Sequence, residues 1–319
     1  MMGSGLFVSW RVVLPITEFQ MRVLRWLIVL ASLGAVTGWF LTGPDPLDPA
    51  VAEGLTGDAE AGKAVFIAAG CASCHSAPDT IPDPDLPILA GGRAFASDFG
   101  TFHAPNISSD ISAGVGAWTD ADLLNAIMRG VSPSGAHLYP AFPYDAYAKA
   151  APQDMVDLVA YLRTLPGDPT MSVPHDVGFP FSIRRAVGGW KLLFRSDDWV
   201  LAEAATPEIE RGRYLVEALG HCGECHTPRN MLGGLDRSRW MAGADNPSGE
   251  GGIPGIAPGA LNWSESEIAY FLESGFTPEF DTAGGEMTEV IRNTSRLSPE
   301  DRAAIAAYLK AIPAVEPAT

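Results

Sequence analysis

The chain has 319 residues, 47% hydrophobic and 18% charged, which supplies globular cores and excludes a disordered chain. Acids outnumber bases 38 to 21, and the net charge of −17 excludes nucleic acid or anionic lipid headgroups as the main partner, since both need a basic footprint. Four cysteines exclude a disulfide-dense scaffold, and 34 glycines with 26 prolines predict long loops.

In chain order, Trp26 to Leu41 is a run of apolar and small residues, extended upstream by Val23 and Leu24 and preceded by Arg11, Arg22 and Arg25. This reads as an N-terminal cytoplasmic segment, 1–22, and a transmembrane anchor or uncleaved signal, 23–41, just long enough to span a bilayer. A cleaved signal peptide starting at Met21 is the alternative. Against cleavage, Ala31, Ser32, Gly34 and Ala35 lie inside the run, and Trp39 and Phe40 stand where a small-residue cleavage motif belongs. On either reading the arginines stay in the cytoplasm and everything after Gly43 is exported. Residues 1–41 hold three arginines and one glutamate, so the exported remainder carries −19.

The rest of the chain repeats itself. Cys71-Ala72-Ser73-Cys74-His75 returns as Cys222-Gly223-Glu224-Cys225-His226, approached by Glu60-Ala61-Gly62-Lys63 and by Glu210-Arg211-Gly212-Arg213. Trp118 through Gly130 and Trp263 through Gly275 each carry a Thr or Ser followed three residues later by an acid, a helix-start signature. Asp154 to Pro166 and Asp301 to Pro313 predict short amphipathic helices stopped by proline. These matches predict two copies of one small helical domain, at 57–167 and 207–315, with no convincing strand pattern. The connector, 168–206, holds Phe179, Phe181, Trp190, Phe194 and Trp199. A flexible linker is polar, so this one is expected to pack along both domains.

Cys-x-x-Cys-His is the attachment signature for c-type haem: two thiols one helical turn apart form thioethers at one porphyrin edge, and the adjacent histidine reaches the iron. A thioredoxin-like pair lacks its strand–helix context here. A zinc site built from both cysteine pairs leaves the two histidines unexplained, and a disulfide within such a turn is strained. The expectation is two covalently bound haem c, held by Cys71, Cys74 and His75 and by Cys222, Cys225 and His226.

Further stretches carry a resemblance: Pro105-Asn106-Ile107-Ser108, then Gly114-Val115-Gly116-Ala117-Trp118, then Leu138-Tyr139-Pro140-Ala141-Phe142-Pro143-Tyr144, and Cys222 through Asn230. With these the chain resembles the diheme class I cytochrome c family, in particular the cytochrome c subunits of membrane-bound bacterial alcohol and aldehyde dehydrogenases. The resemblance covers 57–315. It implies a mainly α fold, two tandem class I cytochrome c domains after an N-terminal transmembrane helix, and a role in passing electrons.

A low-spin transfer haem needs a second axial ligand, usually Met or His. Met287, on the glycine-rich Gly284-Gly285-Glu286-Met287 loop, is the candidate in the second repeat, with Met231 and Met241 as rivals. Where the family places a ligating methionine in the first repeat, this chain has Phe142. Carrying the second repeat's spacings across points to positions 136 and 140, and His137 between them is the preferred ligand. Met155, Met128, His103 or an open five-coordinate iron are the alternatives. Arg229 and Asn230 are candidates for neutralising a propionate, with plain surface solvation as the bland reading; His175 has no partner that the sequence identifies.

The expected function is a periplasm-facing diheme cytochrome c of the inner membrane. Its donor would be a dehydrogenase or quinol-linked complex, and its acceptor an oxidase or another carrier. The rival is a diheme enzyme, of peroxidase or thiosulfate-oxidising type, with an open first haem.

Overall fold

A computed structural model describes residues 17–247 and 251–316, and the chain divides into two units, Met1–Gly43 and Pro44–Thr319. Arg11, and most of the segment expected to be cytoplasmic, lie outside the described residues. Among the described residues the first unit holds one helix, α1 (Glu18–Leu41). Its start is set by a capping box in which Thr17 accepts from the Gln20 backbone and the Gln20 side chain accepts from the Thr17 backbone. None of its residues is buried, although the helix is long and apolar enough to cross a membrane.

In the second unit the first repeat holds α2 (Ala59–Ala68), α3 (Cys71–His75), β1 (Ala94–Ser97), β2 (Gly100–His103), α4 (Asp120–Arg129), α5 (Tyr144–Tyr147) and α6 (Pro152–Leu162). The connector contributes α7 (Ala186–Phe194). The second repeat holds α8 (Pro207–Arg213), α9 (Gly223–His226), β3 (Ala244–Asp245), β4 (Gly252–Ile253), α10 (Glu265–Ser274), α11 (Met287–Thr294) and α12 (Pro299–Ala311).

Each repeat is built on a crossing of its first and last helices. At Gly62 an added Cβ would lie 1.9 Å from the Asp157 carbonyl oxygen, and at Gly212 one would lie 1.9 Å from that of Ala304. Only glycine lets the two backbones approach so closely. Tyr161 and Tyr308 pack at these crossings, the former edge-on to Phe66 at 5.1 Å. The middle helices α4 and α10 begin at the expected capping boxes, Thr119 with Asp122 and Ser264 with Glu267, and end at left-handed Gly130 and Gly275. One apolar core runs through both repeats, from Phe66, Leu158 and Tyr161 to Val216, Ile305 and Tyr308.

Two small hairpins form where the sequence shows no convincing strand pattern, within a mainly α fold. β1 pairs antiparallel with β2, from Ala94 opposite His103 to Ser97 opposite Gly100, and β3 pairs with β4. Runs this short are not distinguishable from loops by alternation alone. The repeats also differ by one residue before the cysteines, where His221 has no counterpart. The chain absorbs it by continuing α8 as a π-helical stretch, Tyr214–Leu219, closed by Gly220 N–H donating to the Leu215 carbonyl at 2.7 Å.

The connector packs on both repeats. Lys191 Nζ donates to the Gly130 carbonyl at 3.0 Å, and Trp190 Nε1 donates to the Leu232 carbonyl, also at 3.0 Å. His175 accepts from the His103 backbone N–H through Nδ1 at 3.1 Å and packs edge-on against Phe102 and Tyr139. It is a packing residue whose partners lie far away in sequence.

Candidate functional site

Each Cys-x-x-Cys-His segment forms one short helical turn directly after the first helix of its repeat. In the first repeat Gly70, at φ +64°, makes the sharp exit from α2. In the second, His221 does so at φ +39°. The turn brings both cysteines of a pair to one side, yet none of the four is in a disulfide. Burial pushes the Cys71 and Cys222 thiols up to about 12 and the Cys74 thiol up to about 11, and raises Cys225 as well. A redox-active pair needs the opposite shift. Among the described residues no three metal-ligating groups converge in the way a zinc site requires.

The histidines are oriented alike. His75 Nδ1–H donates to the Pro105 carbonyl at 2.9 Å, and His226 Nδ1–H donates to the Pro254 carbonyl at 2.8 Å. Each bond fixes the tautomer and leaves Nε2 as the lone-pair nitrogen. Desolvation holds both imidazoles below the usual range, keeping them neutral, with the proline carbonyls opposing. Pro105 and Pro254 lie 30 and 28 residues beyond their histidines, and neither role was evident from the sequence. A neutral imidazole beside two protonated thiols, twice over and on matching scaffolds, is the donor set for a covalently held porphyrin iron.

The Cytochrome c family model matches residues 59–166 and 209–313, the same two repeats. The chain belongs to the cytochrome c family. Membership implies haem c binding, and the two turns described above fit it. The chain is 53% identical to a diheme cytochrome c-type protein of Cereibacter sphaeroides, over 91% of this chain and 97% of the relative. It is 36% identical to the fructose dehydrogenase cytochrome subunit of Gluconobacter japonicus over 91% of this chain, and 33% identical to the cytochrome c subunit of the quinone-type alcohol dehydrogenase of Gluconobacter oxydans over 80%. It spans 61% and 54% of those two subunits. This homology to cytochrome subunits of dehydrogenases supports electron transfer by a diheme cytochrome c.

Met287 is half-buried against the core as the first residue of α11, where the sequence had suggested a loop. Met231 is 96% exposed, and Met241 is fully buried with its backbone N–H on Thr227 Oγ1. In the first repeat Met128 and Met155 are buried on α4 and α6, and His103 is half-buried on β2. His137 is buried as well, and its carbonyl accepts from Arg184, whose guanidinium lies 3.7 Å from the Tyr139 ring centroid.

The two repeats can be aligned through their backbones. Val131 bridges His137 just as Phe276 bridges Thr282, and Leu138 N–H donates to the Gly130 carbonyl as Ala283 N–H does to that of Gly275. Counting five residues on from either bridge reaches Phe142 and Met287. The register therefore puts Phe142 at Met287's place, which corrects the spacings that pointed to 136 and 140. Those failed because the first repeat is longer before this point, with the larger β1–β2 hairpin, and shorter after it, where α5 stands for α11.

The attachment turns lie close together. Cys74 and Cys225 are within electrostatic reach of each other, and the His221 ring sits edge-on to Tyr147 at 5.7 Å. Arg229, a candidate propionate partner, instead pairs with Glu224 at 2.5 Å and donates to the Gly233 carbonyl at 2.8 Å.

Proposed function

We propose that this chain is a membrane-anchored, periplasm-facing diheme cytochrome c that relays electrons from a dehydrogenase to an oxidase or another carrier. The matched pair of proline-oriented histidines, one beside each cysteine turn, carries the reading. Cys71 and Cys74 would hold one haem and Cys222 and Cys225 the other, each thiol adding its S–H across a vinyl double bond. His75 and His226 would be the proximal ligands. When bound, haem supplies the one-electron iron couple; the chain fixes the ligands, excludes water and sets the spacing. Helix α1 would be the anchor, with the arginines before it on the cytoplasmic side. The names of the relatives favour a dehydrogenase as donor. Reduction of the purified protein by a membrane dehydrogenase, at a rate that falls as salt rises, is the expected result; a protein that such donors leave oxidised would contradict the relay.

Met287 is the proposed sixth ligand of the second haem and His137 that of the first. A second reading is favoured by Phe142, which puts an aromatic ring with no lone pair where the second repeat has its methionine. On that reading the first iron has an open position and the chain is an enzyme of peroxidase or thiosulfate-oxidising type. Carbon monoxide added to the reduced protein separates them. No spectral change supports His137 and the relay; prompt binding at one haem supports the open site.

A further inference from the structure

One set of bonds between the two repeats reaches both an attachment turn and the segment that carries Met287. Arg93, in the loop just before β1, sends Nη1 to the Ser73 carbonyl at 2.6 Å and Nη2 to Glu286 Oε2 at 2.6 Å. Ser73 lies between the cysteines of the first attachment turn, and Glu286 immediately precedes Met287. Beside this fork, Asn293 of α11 donates from Nδ2 to Ser73 Oγ at 2.7 Å and to the Glu289 carbonyl at 2.9 Å. Arg296, past the end of α11, donates to the Pro84 carbonyl of the first repeat at 2.9 Å. The segment that begins with Met287 is thus fastened along its length to the other repeat.

The approach to Met287 from its own repeat is soft. Gly284 and Gly285 have open space around them, Gly285 sits at φ +56°, and the Glu286 side chain is 64% exposed. An exposed ion pair by itself contributes little. Here one planar guanidinium joins a backbone carbonyl to a carboxylate through two different nitrogens, a rigid fork that the single ammonium of lysine does not offer.

We propose that Arg93 is a positioning residue for the second haem site: braced on the attachment turn of the first repeat, it holds the start of α11, with Met287, in its ligating position through Glu286. The proposal rests on the reading of Met287 as sixth ligand. It makes methionine ligation in one repeat depend on the assembled turn of the other, so the two sites are built as a pair.

The test uses the full-length, haem-loaded protein and reads the weak far-red charge-transfer band of methionine-ligated ferric haem, with haem content per chain measured alongside. Arg93→Ala and Glu286→Ala should each lose most of the band at neutral pH while haem content stays at the wild-type level. Glu286→Gln, which still offers an oxygen to the guanidinium, should keep most of it. Because Glu286 is on an exposed loop, its variants report even if Arg93→Ala does not mature. Met287→Ala is the control. A band that survives Met287→Ala removes the ligand assignment and this proposal with it. A band lost in Met287→Ala but kept in both Arg93→Ala and Glu286→Ala overturns the proposal alone.

Discussion

Gly62 and Gly212 hold the two helix crossings together by lacking a side chain. A methyl group at either place meets a backbone carbonyl that cannot move without parting the helices. Gly62→Ala or Gly212→Ala is expected to lower stability by about 3 kcal/mol, the upper part of the usual overpacking range, read as a drop in Tm. An unchanged Tm would mean that the crossing is looser than described. Asp145 shows a different residue-scale effect. Burial pushes its carboxyl up to about 6, with Glu224 adding to the shift and Arg195, Lys191 and Lys149 opposing it. The folded chain then binds this proton more tightly than the unfolded chain, whose carboxyl ionises near about 3.9. Stability from this group is therefore full below the unfolded pKa and falls as pH rises towards about 6; above that, the ionised form costs on the order of 3 kcal/mol. Asp145→Asn should raise Tm at about pH 7 and leave it unchanged at about pH 4. An equal shift at both would sink the idea that ionisation is the cause.

Helices α4, α10, α6 and α12 were legible in the sequence because local chemistry fixes them: Thr119 and Ser264 cap their helices, and prolines follow the last turns. The hairpins were not legible, since four-residue strands depend on tertiary partners such as Asp176, which bridges Thr101 from the connector. Helix α11 was hidden too, because Met287–Thr294 is rich in polar and β-branched residues and is held by long-range bonds such as that of Asn293 to Ser73. The cysteine turns were plain, whereas the proline carbonyls that aim His75 and His226 are tertiary contacts with no local pattern. Helix α1 carries its own prediction. A chain beginning at Pro44, expressed behind a cleavable export signal, should be recovered in the soluble fraction with its haem content intact. Recovery with the membranes would show that another surface makes the attachment.

Across the whole molecule, the two repeats and the connector form one compact unit whose cysteine turns lie close together. That arrangement suits transfer between two centres of different potential. Methionine–histidine ligation raises the potential, so the second haem should titrate above the first, and electrons should run from the first repeat to the second. A redox titration should show two steps. Met287→His should lower the upper step and leave the other in place; equal potentials, or movement of the lower step, would reverse the assignment. The net charge of −17 is a property of the whole chain, and under the proposed function it suits a carrier that docks on basic patches.

The most direct measurement is the intact mass of the protein made in a host that matures c-type cytochromes, together with its pyridine haemochrome spectrum. Two haem masses added to each chain are expected, and one in a Cys71→Ala/Cys74→Ala variant. A colourless protein whose mass corresponds to four unmodified thiols would contradict it.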